Sequence, residues 1–237
     1  MVLNALRNAY NATWGRYVFA GLYDRFLARS EAAGLSEKRR EMLVPARGRT
    51  LELGAGTGLN LPHYPDTVTE LVVTEPYPHM VPKLHEKMDA LQLDRPGRRT
   101  QLVVAEAERL PFEDDSFDTV VAAMILCTVK DPEVVLVEIE RVLKPGGQYL
   151  FLEHIRNPDE KIARKQDRIQ PGWYLFGNEC HCNRPTVDTI GKSPLRITEL
   201  KRDKIPAAKD FIEAMVIGRA EPSSVVTRDA GDVTVAV

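Results

Sequence analysis

Short apolar stretches alternate with segments of helical length between residues 50 and 153, and this alternation allows few folds. The stretches typical of buried strands are Thr50–Leu53, Leu71–Glu75, Gln101–Ala105, Thr119–Ala123 and Gln148–Glu153. Strands that are joined by helices pair in parallel through right-handed crossovers. The sequence therefore predicts a doubly wound α/β domain with a mostly parallel sheet.

The residues on either side of this region complete the predicted domain. Leu195–Lys201 and Phe211–Arg219 have the pattern of a closing pair of strands. Residues 157–184 are charged, then aromatic, then rich in Cys and His, and we interpret them as an insertion after the fifth strand. Large apolar residues recur at helical spacing near the N-terminus, whereas the end of the chain has little such periodicity. The predicted parts are a helical lid at residues 1–45, a domain at 46–220 and a loosely ordered tail at 221–237.

The composition is that of an ordinary globular protein. The 237 residues are 43% apolar and 28% charged, with a formal net charge of −2. This charge gives no reason to expect nucleic acid as a partner, and we expect a small molecule instead. Three cysteines do not make a disulfide framework, and no apolar stretch approaches the roughly 18 residues of a spanning helix. We therefore expect a cytoplasmic protein, and the oligomeric state stays open.

A glycine-rich turn follows the first strand, in the sequence Leu51-Glu52-Leu53-Gly54-Ala55-Gly56-Thr57-Gly58. Dinucleotide sites use the spacing G-x-G-x-x-G, which presents a helix N-terminus to a pyrophosphate. The spacing here is G-x-G-x-G, with Glu52 two residues before the first glycine, and it favours a nucleoside that carries an amino acid. Glu52 would face the ammonium group. The small residues that would let this ligand approach the backbone are Gly54, Ala55, Gly56 and Gly58.

Acidic residues also stand at the ends of the next two strands. Glu75 could accept both ribose hydroxyls of a nucleoside, with Pro76 beside the adenine. Glu106 could receive the adenine amino group, while the small Ala107 lets the ring lie flat. Either acid alone is equally consistent with a solvated loop residue. Three such features on consecutive strand ends favour S-adenosyl-L-methionine as the ligand, and Met124, after the fourth strand, completes the predicted set.

These motifs resemble those of the class I S-adenosylmethionine-dependent methyltransferases over residues 50–153. The resemblance implies a Rossmann-like fold with sheet order 3-2-1-4-5-7-6, in which strand 7 is antiparallel. It also implies that the cofactor lies over the carboxyl ends of strands 1 to 3 and that the acceptor enters near strands 4 and 5. The matching segments are Leu51–Gly58, Glu75, Ala105–Asp118 and Arg141–Gly147.

A narrower resemblance links the chain to the methyltransferase-like thiol S-methyltransferases of animals and their bacterial relatives. It rests on Leu126–Val129, Glu153–His154, Gln170–Trp173 and Cys180–Arg184. It implies that a methyl group passes by in-line displacement to a small apolar acceptor such as a thiol, and a phenol is also compatible with the residues. Two alternatives stay open: a C-methyltransferase of quinone or lipid biosynthesis, and a cofactor-binding protein without turnover.

Two histidines are candidates for a direct role in binding or activating the acceptor. His154, at the end of the fifth strand, is the first candidate for a general base, because imidazole titrates near neutral pH. The alternative is a structural histidine that bonds the insertion. His181 is a second candidate for contact with the acceptor. Cys180 and Cys182 form a C-x-C pair, which is too tight for a usual zinc knuckle, so the sequence predicts no metal.

Three aromatic residues are candidates for walls of the acceptor site. Tyr23 and Phe26 lie in the predicted N-terminal helices, and Trp173 lies in the predicted insertion. A lid of this kind would exclude water during transfer. The alternatives for the N-terminal residues are core packing over the sheet and a surface helix that makes peripheral membrane contact.

Overall fold

The computed structural model describes residues 20–223, with side chains from residue 24 onward. The first part of the predicted lid, residues 1–19, lies outside the described residues. So does most of the predicted tail, residues 224–237. None of the helices in the described part of the chain combines the length and the hydropathy that crossing a lipid bilayer requires.

A mixed sheet forms the centre of the domain, and its order is β3-β2-β1-β4-β5-β7-β6. The strands from β1 to β5 are parallel, whereas β7 runs antiparallel to both β5 and β6. The predicted fold class, strand order and antiparallel strand 7 are therefore confirmed. In the described range the strands are β1 (Gly48–Leu53), β2 (Val68–Thr74), β3 (Arg99–Val103), β4 (Phe117–Ala123), β5 (Leu143–His154), β6 (Leu195–Lys204) and β7 (Ala214–Pro222).

Helices cover the two faces of the sheet. The helix Pro132–Val142 begins after its N-cap, Asp131, whose carboxylate accepts the backbone N–H groups of Glu133 and Val134. A π-helical turn at Glu31–Leu35 joins the first two helices, and a short 3₁₀ turn covers Leu61–His63. The helices of the described part are α1 (Ala20–Ser30), α2 (Ser36–Leu43), α3 (Val81–Ala90), α4 (Pro132–Val142), α5 (Glu160–Phe176), α6 (Thr186–Gly191) and α7 (Asp210–Glu213).

The core consists of one apolar cluster on each face of the sheet, and β5 contributes side chains to both clusters. Tyr149 and Phe151 join the apolar cluster on one face, while Leu150 and Leu152 join the cluster on the other. Successive side chains of a strand point to opposite faces, so a strand covered on both sides must be apolar throughout. This explains why the central strands appear in the sequence as continuous apolar stretches.

Residues 157–184, which we interpret from the sequence as an insertion after the fifth strand, contain α5, which begins after the N-cap Asp159 and includes Pro171. The predicted bounds of the last strand were wrong. The last strand begins at Ala214 and not at Phe211, because residues 210–213 form a helical turn. It also extends to Pro222, two residues into the predicted tail.

The topological switch point of the sheet lies between β1 and β4, where Leu53 pairs with Ala122. In doubly wound sheets, ligands bind in the crevice at the carboxyl ends of the strands beside this point. The turn after β1, the acid after β2 and the loop after β4 therefore meet at one edge of the sheet.

Candidate active site

The turn after β1 has the backbone conformation that only glycine adopts easily. Gly54, Gly56 and Gly58 have φ angles of 57°, 59° and 78°. A Cβ atom on Gly54 would lie 2.9 Å from Cγ2 of Ile125, so the loop after β4 closes tightly over the turn. The N–H of Ala55 donates to the carbonyl of Thr74 at 2.9 Å and joins the turn to the end of β2.

Glu75 joins the glycine turn to the end of β2 through its carboxylate. Its oxygens accept the backbone N–H of Gly56 at 2.7 Å and that of Tyr77 at 3.0 Å. Burial raises the pKa of this carboxyl, and the two N–H bonds oppose that rise. A carboxylate has about four acceptor positions, so Glu75 keeps capacity for hydroxyl donors. This remaining acceptor capacity fits the ribose hydroxyls of S-adenosylmethionine.

Glu52 has hydrogen-bond partners within the protein that the sequence did not indicate. Its carboxylate accepts the side-chain N–H of Asn60 at 2.9 Å and the hydroxyl of Tyr64 at 2.8 Å, and only 2% of the residue is exposed. Burial raises the pKa of Glu52 to about 7, although the bonds from Tyr64 and Asn60 oppose the shift. Contact between Glu52 and the cofactor's ammonium group stays a prediction.

The remaining predicted cofactor residues lie around the same crevice. Glu106 is exposed and pairs with Lys130, whose Nζ lies 3.2 Å from its carboxylate, whereas Ala107 is buried. Met124 adopts a left-handed conformation with φ 60°, and its N–H donates to Leu152 at 2.8 Å. Pro76 follows Glu75 and is partly buried. Their roles toward the adenine stay predictions.

The N-terminal helix contacts the glycine turn directly. The hydroxyl of Thr57 donates to the carboxylate of Asp24 in α1 at 2.5 Å. On the same helix, the ring of Phe26 lies 6.5 Å from that of Trp173, centroid to centroid, although Phe26 is 65% exposed. Helix α1 therefore spans both the turn and the aromatic residues of α5. Tyr23 also lies in α1, but its side chain lies outside the described ones.

Aromatic side chains cluster on the side of the crevice where the sequence predicts the acceptor. Trp173 packs edge-to-face against Phe211 with ring centroids 5.1 Å apart. His181 packs edge-to-face on Tyr174 at 5.0 Å, beside an open groove of about 360 Å³. The structure thus brings the predicted pair Phe26 and Trp173 together, and His181, in the segment between α5 and α6, packs on Tyr174, the residue after Trp173.

His154 is buried at the end of β5 and contacts a thiol. Its Nε2 lies 3.1 Å from Sγ of Cys180, and its Nδ1 has no hydrogen-bond partner among the described residues. Burial lowers the pKa of His154, but the neighbouring Cys180 outweighs this effect and raises it. Contact with Cys127, and then the charge of His154, hold the pKa of Cys180 well below its ordinary value.

Sequence reasoning missed two residues that hold the loop after β4 in place. Glu153 accepts the backbone N–H groups of Ile125 and Leu126 at 3.0 and 3.1 Å, so it fixes the loop after β4. Arg184 donates to the carbonyl of Leu126 from the other side. Glu153 and Arg184 both fall in motifs that were read only as family signatures. The adjacency of Glu153 to His154 at a strand end was the available signal.

Comparisons with known proteins agree with this geometry. A family model described as "Methyltransferase domain" matches residues 51–151. The thiol S-methyltransferase TMT1B of Rattus norvegicus is 35% identical over 172 residues, which cover 72% of this chain and 69% of the relative. The phosphatidylethanolamine N-methyltransferase of Cereibacter sphaeroides is 31% identical over 205 residues, which cover 82% of this chain and 93% of the relative.

A solved structure supports the fold independently. A SAM-dependent methyltransferase of Thermotoga maritima aligns with a TM-score of 0.62 at 22% identity, covering 88% of this chain and 99% of that one. Together with the glycine turn and Glu75, these similarities establish an enzyme that uses S-adenosyl-L-methionine as its methyl donor. The chain belongs to the class I S-adenosylmethionine-dependent methyltransferases.

Proposed function

We propose that this enzyme transfers a methyl group to the sulfur of a small alkyl thiol. The observation that carries the proposal is the acceptor side of the crevice, where the buried His154, Cys127 and Cys180 lie beside aromatic walls. A hydrophobic site of this kind suits an apolar acceptor with a soft reacting atom. The similarity to thiol S-methyltransferases, at 35% identity for the rat protein, points in the same direction.

The chemistry of a thiol acceptor makes modest demands on the protein. A thiol with a free pKa near 8.5 is already a few per cent ionised at pH 7, so a nearby positive charge is sufficient help. Arg184 supplies such a charge beside the cluster. His154 contacts Cys180 first, so a role as general base would run through that thiol.

Each side of the crevice has a distinct task in the proposed reaction. The cofactor's sulfonium makes its methyl carbon electrophilic, so the acceptor sulfur can form a bond to this carbon as the old sulfur–carbon bond breaks. Glu75 and the glycine turn hold the nucleoside. Phe26 and Trp173 exclude water and orient the acceptor, and positioning of this kind accounts for roughly 7–11 kcal/mol of barrier reduction.

The test is transfer from methyl-labelled S-adenosylmethionine to a panel of purified acceptors. The panel contains alkyl thiols, phenols, quinones and phosphatidylethanolamine vesicles. We expect the label to appear on alkyl thiols. Transfer to another class with none to any thiol would overturn the proposal, and tight cofactor binding without transfer to any member would favour a protein without turnover.

A second candidate is N-methylation of an aminophospholipid. The specific observation in its favour is the similarity to the phosphatidylethanolamine N-methyltransferase, which extends over 93% of that relative. The exposed rings of Phe26 and Phe176 would suit a lipid surface. Label on the phosphatidylethanolamine vesicles, measured in the same panel, would favour this candidate.

A further inference from the structure

Three soft donor atoms converge from three separate parts of the chain. Cys127 lies in the loop after β4, His154 is the last residue of β5, and Cys180 follows α5. Their Sγ and ring nitrogen atoms all lie within 4.8 Å of one another, and all three residues are buried. The C-x-C pair at residues 180 and 182 argued against a metal in the sequence, but the third donor lies 53 residues before Cys180.

The backbone around these donors is held by hydrogen bonds that do not use the ligand atoms. The N–H of His181 donates to the carbonyl of Cys127 at 2.8 Å and ties the two cysteine loops together. Glu153 and Arg184 fix Leu126 from opposite sides. A site whose ligands are positioned in advance in this way needs little reorganisation to bind an ion.

We propose that Cys127, His154 and Cys180 bind a Zn²⁺ ion through two sulfur atoms and one imidazole nitrogen. Zinc takes sulfur at about 2.3 Å and histidine nitrogen at about 2.0–2.1 Å, so its ligand atoms lie roughly 3.3–3.8 Å apart. Here Nε2 of His154 and Sγ of Cys180 lie 3.1 Å apart, and all three ligand atoms lie within 4.8 Å of one another. Two thiolates and a neutral imidazole also cancel the charge of the ion, which makes its burial tolerable.

A site with three protein ligands leaves one position of a tetrahedral ion open, as in catalytic zinc sites. This step rests on the proposed function. The acceptor thiol would give its proton to solvent and occupy the open position as a thiolate. Its electron pair would then form the new sulfur–carbon bond, while the pair of the broken bond stays on the cofactor's sulfur.

The test measures zinc on the full-length protein, stripped of metal with a chelator under reducing conditions. Titration with Zn²⁺ against a chromophoric chelator should give one tightly bound ion per chain. Cys127→Ser and Cys180→Ser should each lose this stoichiometric binding. Cys182→Ser is the matched control, because Cys182 is an equally buried thiol that contacts Gln170 and lies outside the cluster.

Cobalt gives a second readout that does not depend on activity. The protein loaded with Co²⁺ should show thiolate-to-cobalt charge-transfer absorption, which the Cys127 and Cys180 variants lack and the Cys182 variant retains. Circular dichroism and binding of the demethylated cofactor check that each variant is folded. No zinc on the wild-type protein, or equal binding by all variants, would overturn the site.

The same preparation separates the site from the proposed function. Zinc binding without methylation of any thiol would leave the site standing and remove the thiol acceptor. Methylation of thiols at the same rate with and without zinc would overturn the open coordination position and leave the proposed function intact.

Discussion

Glu75 serves the folded chain and its ligand with one carboxylate. It holds the N–H groups of Gly56 and Tyr77, so it fixes the turn against β2 before any ligand arrives. Its remaining acceptor capacity faces the crevice in which ribose hydroxyls are expected. Because Glu75 has both roles, even a substitution that preserves its shape should weaken cofactor binding.

Glu75→Gln should weaken binding of the demethylated cofactor by about 10- to 100-fold, because charge-assisted hydrogen bonds contribute roughly 1.5–3 kcal/mol. Isothermal calorimetry measures this change. Since burial raises the pKa of Glu75, wild-type affinity should also fall with decreasing pH sooner than an ordinary carboxylate would require. Glu70→Gln, within β2 and paired with Arg49, is the control and should bind normally.

Gly54→Ala should reduce cofactor affinity by at least about tenfold. The new side chain would be strained at φ 57° and would press on Ile125, which displaces the turn. Gly97→Ala is the matched control, because Gly97 has φ 89° but open space around it. Both variants carry backbone strain, so equal cofactor affinity in the two would contradict the role of the turn.

The limits of sequence reasoning are clearest for single residues. Glu52 was predicted to face the cofactor's ammonium group, and its partners Asn60 and Tyr64 flank a 3₁₀ turn that no local pattern indicates. Cys127 and Cys180 meet only because the loop after β4 and the segment after α5 converge at one edge of the sheet. Contacts between distant parts of the chain follow from packing and not from spacing.

At the scale of elements, α5 is the main difference from the sequence prediction. The residues of α5 that the structure buries are Ala163 and Gln166, so the helix adds few large apolar side chains to the core and its charged first half does not have the composition of a core helix. Pro171 lacks an N–H and argues further against a helix interior. The central strands, by contrast, are apolar on both faces. The strands were recognised within a few residues of their bounds, apart from the late start of β7 and the early start of β5 at Leu143.

Helix α5 also offers a test of the acceptor wall. Trp173→Ala should raise the KM for the acceptor by roughly tenfold, since a buried aromatic contact is lost, and should leave the KM for the cofactor unchanged. Phe176→Ala, three residues later and 64% exposed, is the control and should change neither constant. An effect of Trp173→Ala confined to the cofactor would contradict the assignment.

At the scale of the whole molecule, the buried carboxyl of Glu52 makes the stability of the domain depend on pH. Glu52 has a pKa of about 7 in the folded protein, against 4.5 for an ordinary carboxyl, because it is buried. Between these two values the folded state binds a proton that the unfolded state does not bind. Stability from this group is therefore lowest above pH 7 and increases as the pH falls toward 4.5.

Relative to Glu52→Gln, the wild-type protein should gain about 3 kcal/mol of unfolding free energy as the pH falls from 8 to 5. Urea denaturation at several pH values measures both curves, and the difference between them isolates Glu52 from the other titrating groups. Two parallel curves would mean that folding does not raise the pKa of Glu52.

The bond between Thr57 and Asp24 has a kinetic consequence. Helix α1 contacts the glycine turn through Asp24 and the aromatic wall through Phe26. We therefore expect binding of the nucleoside at the turn to fix the position of the helix against which the second substrate binds. Catalysis should then follow a compulsory order in which the methyl donor enters first and its spent form leaves last. Product-inhibition patterns would reveal this sequence, and a random pattern would mean that the helix and the turn move independently.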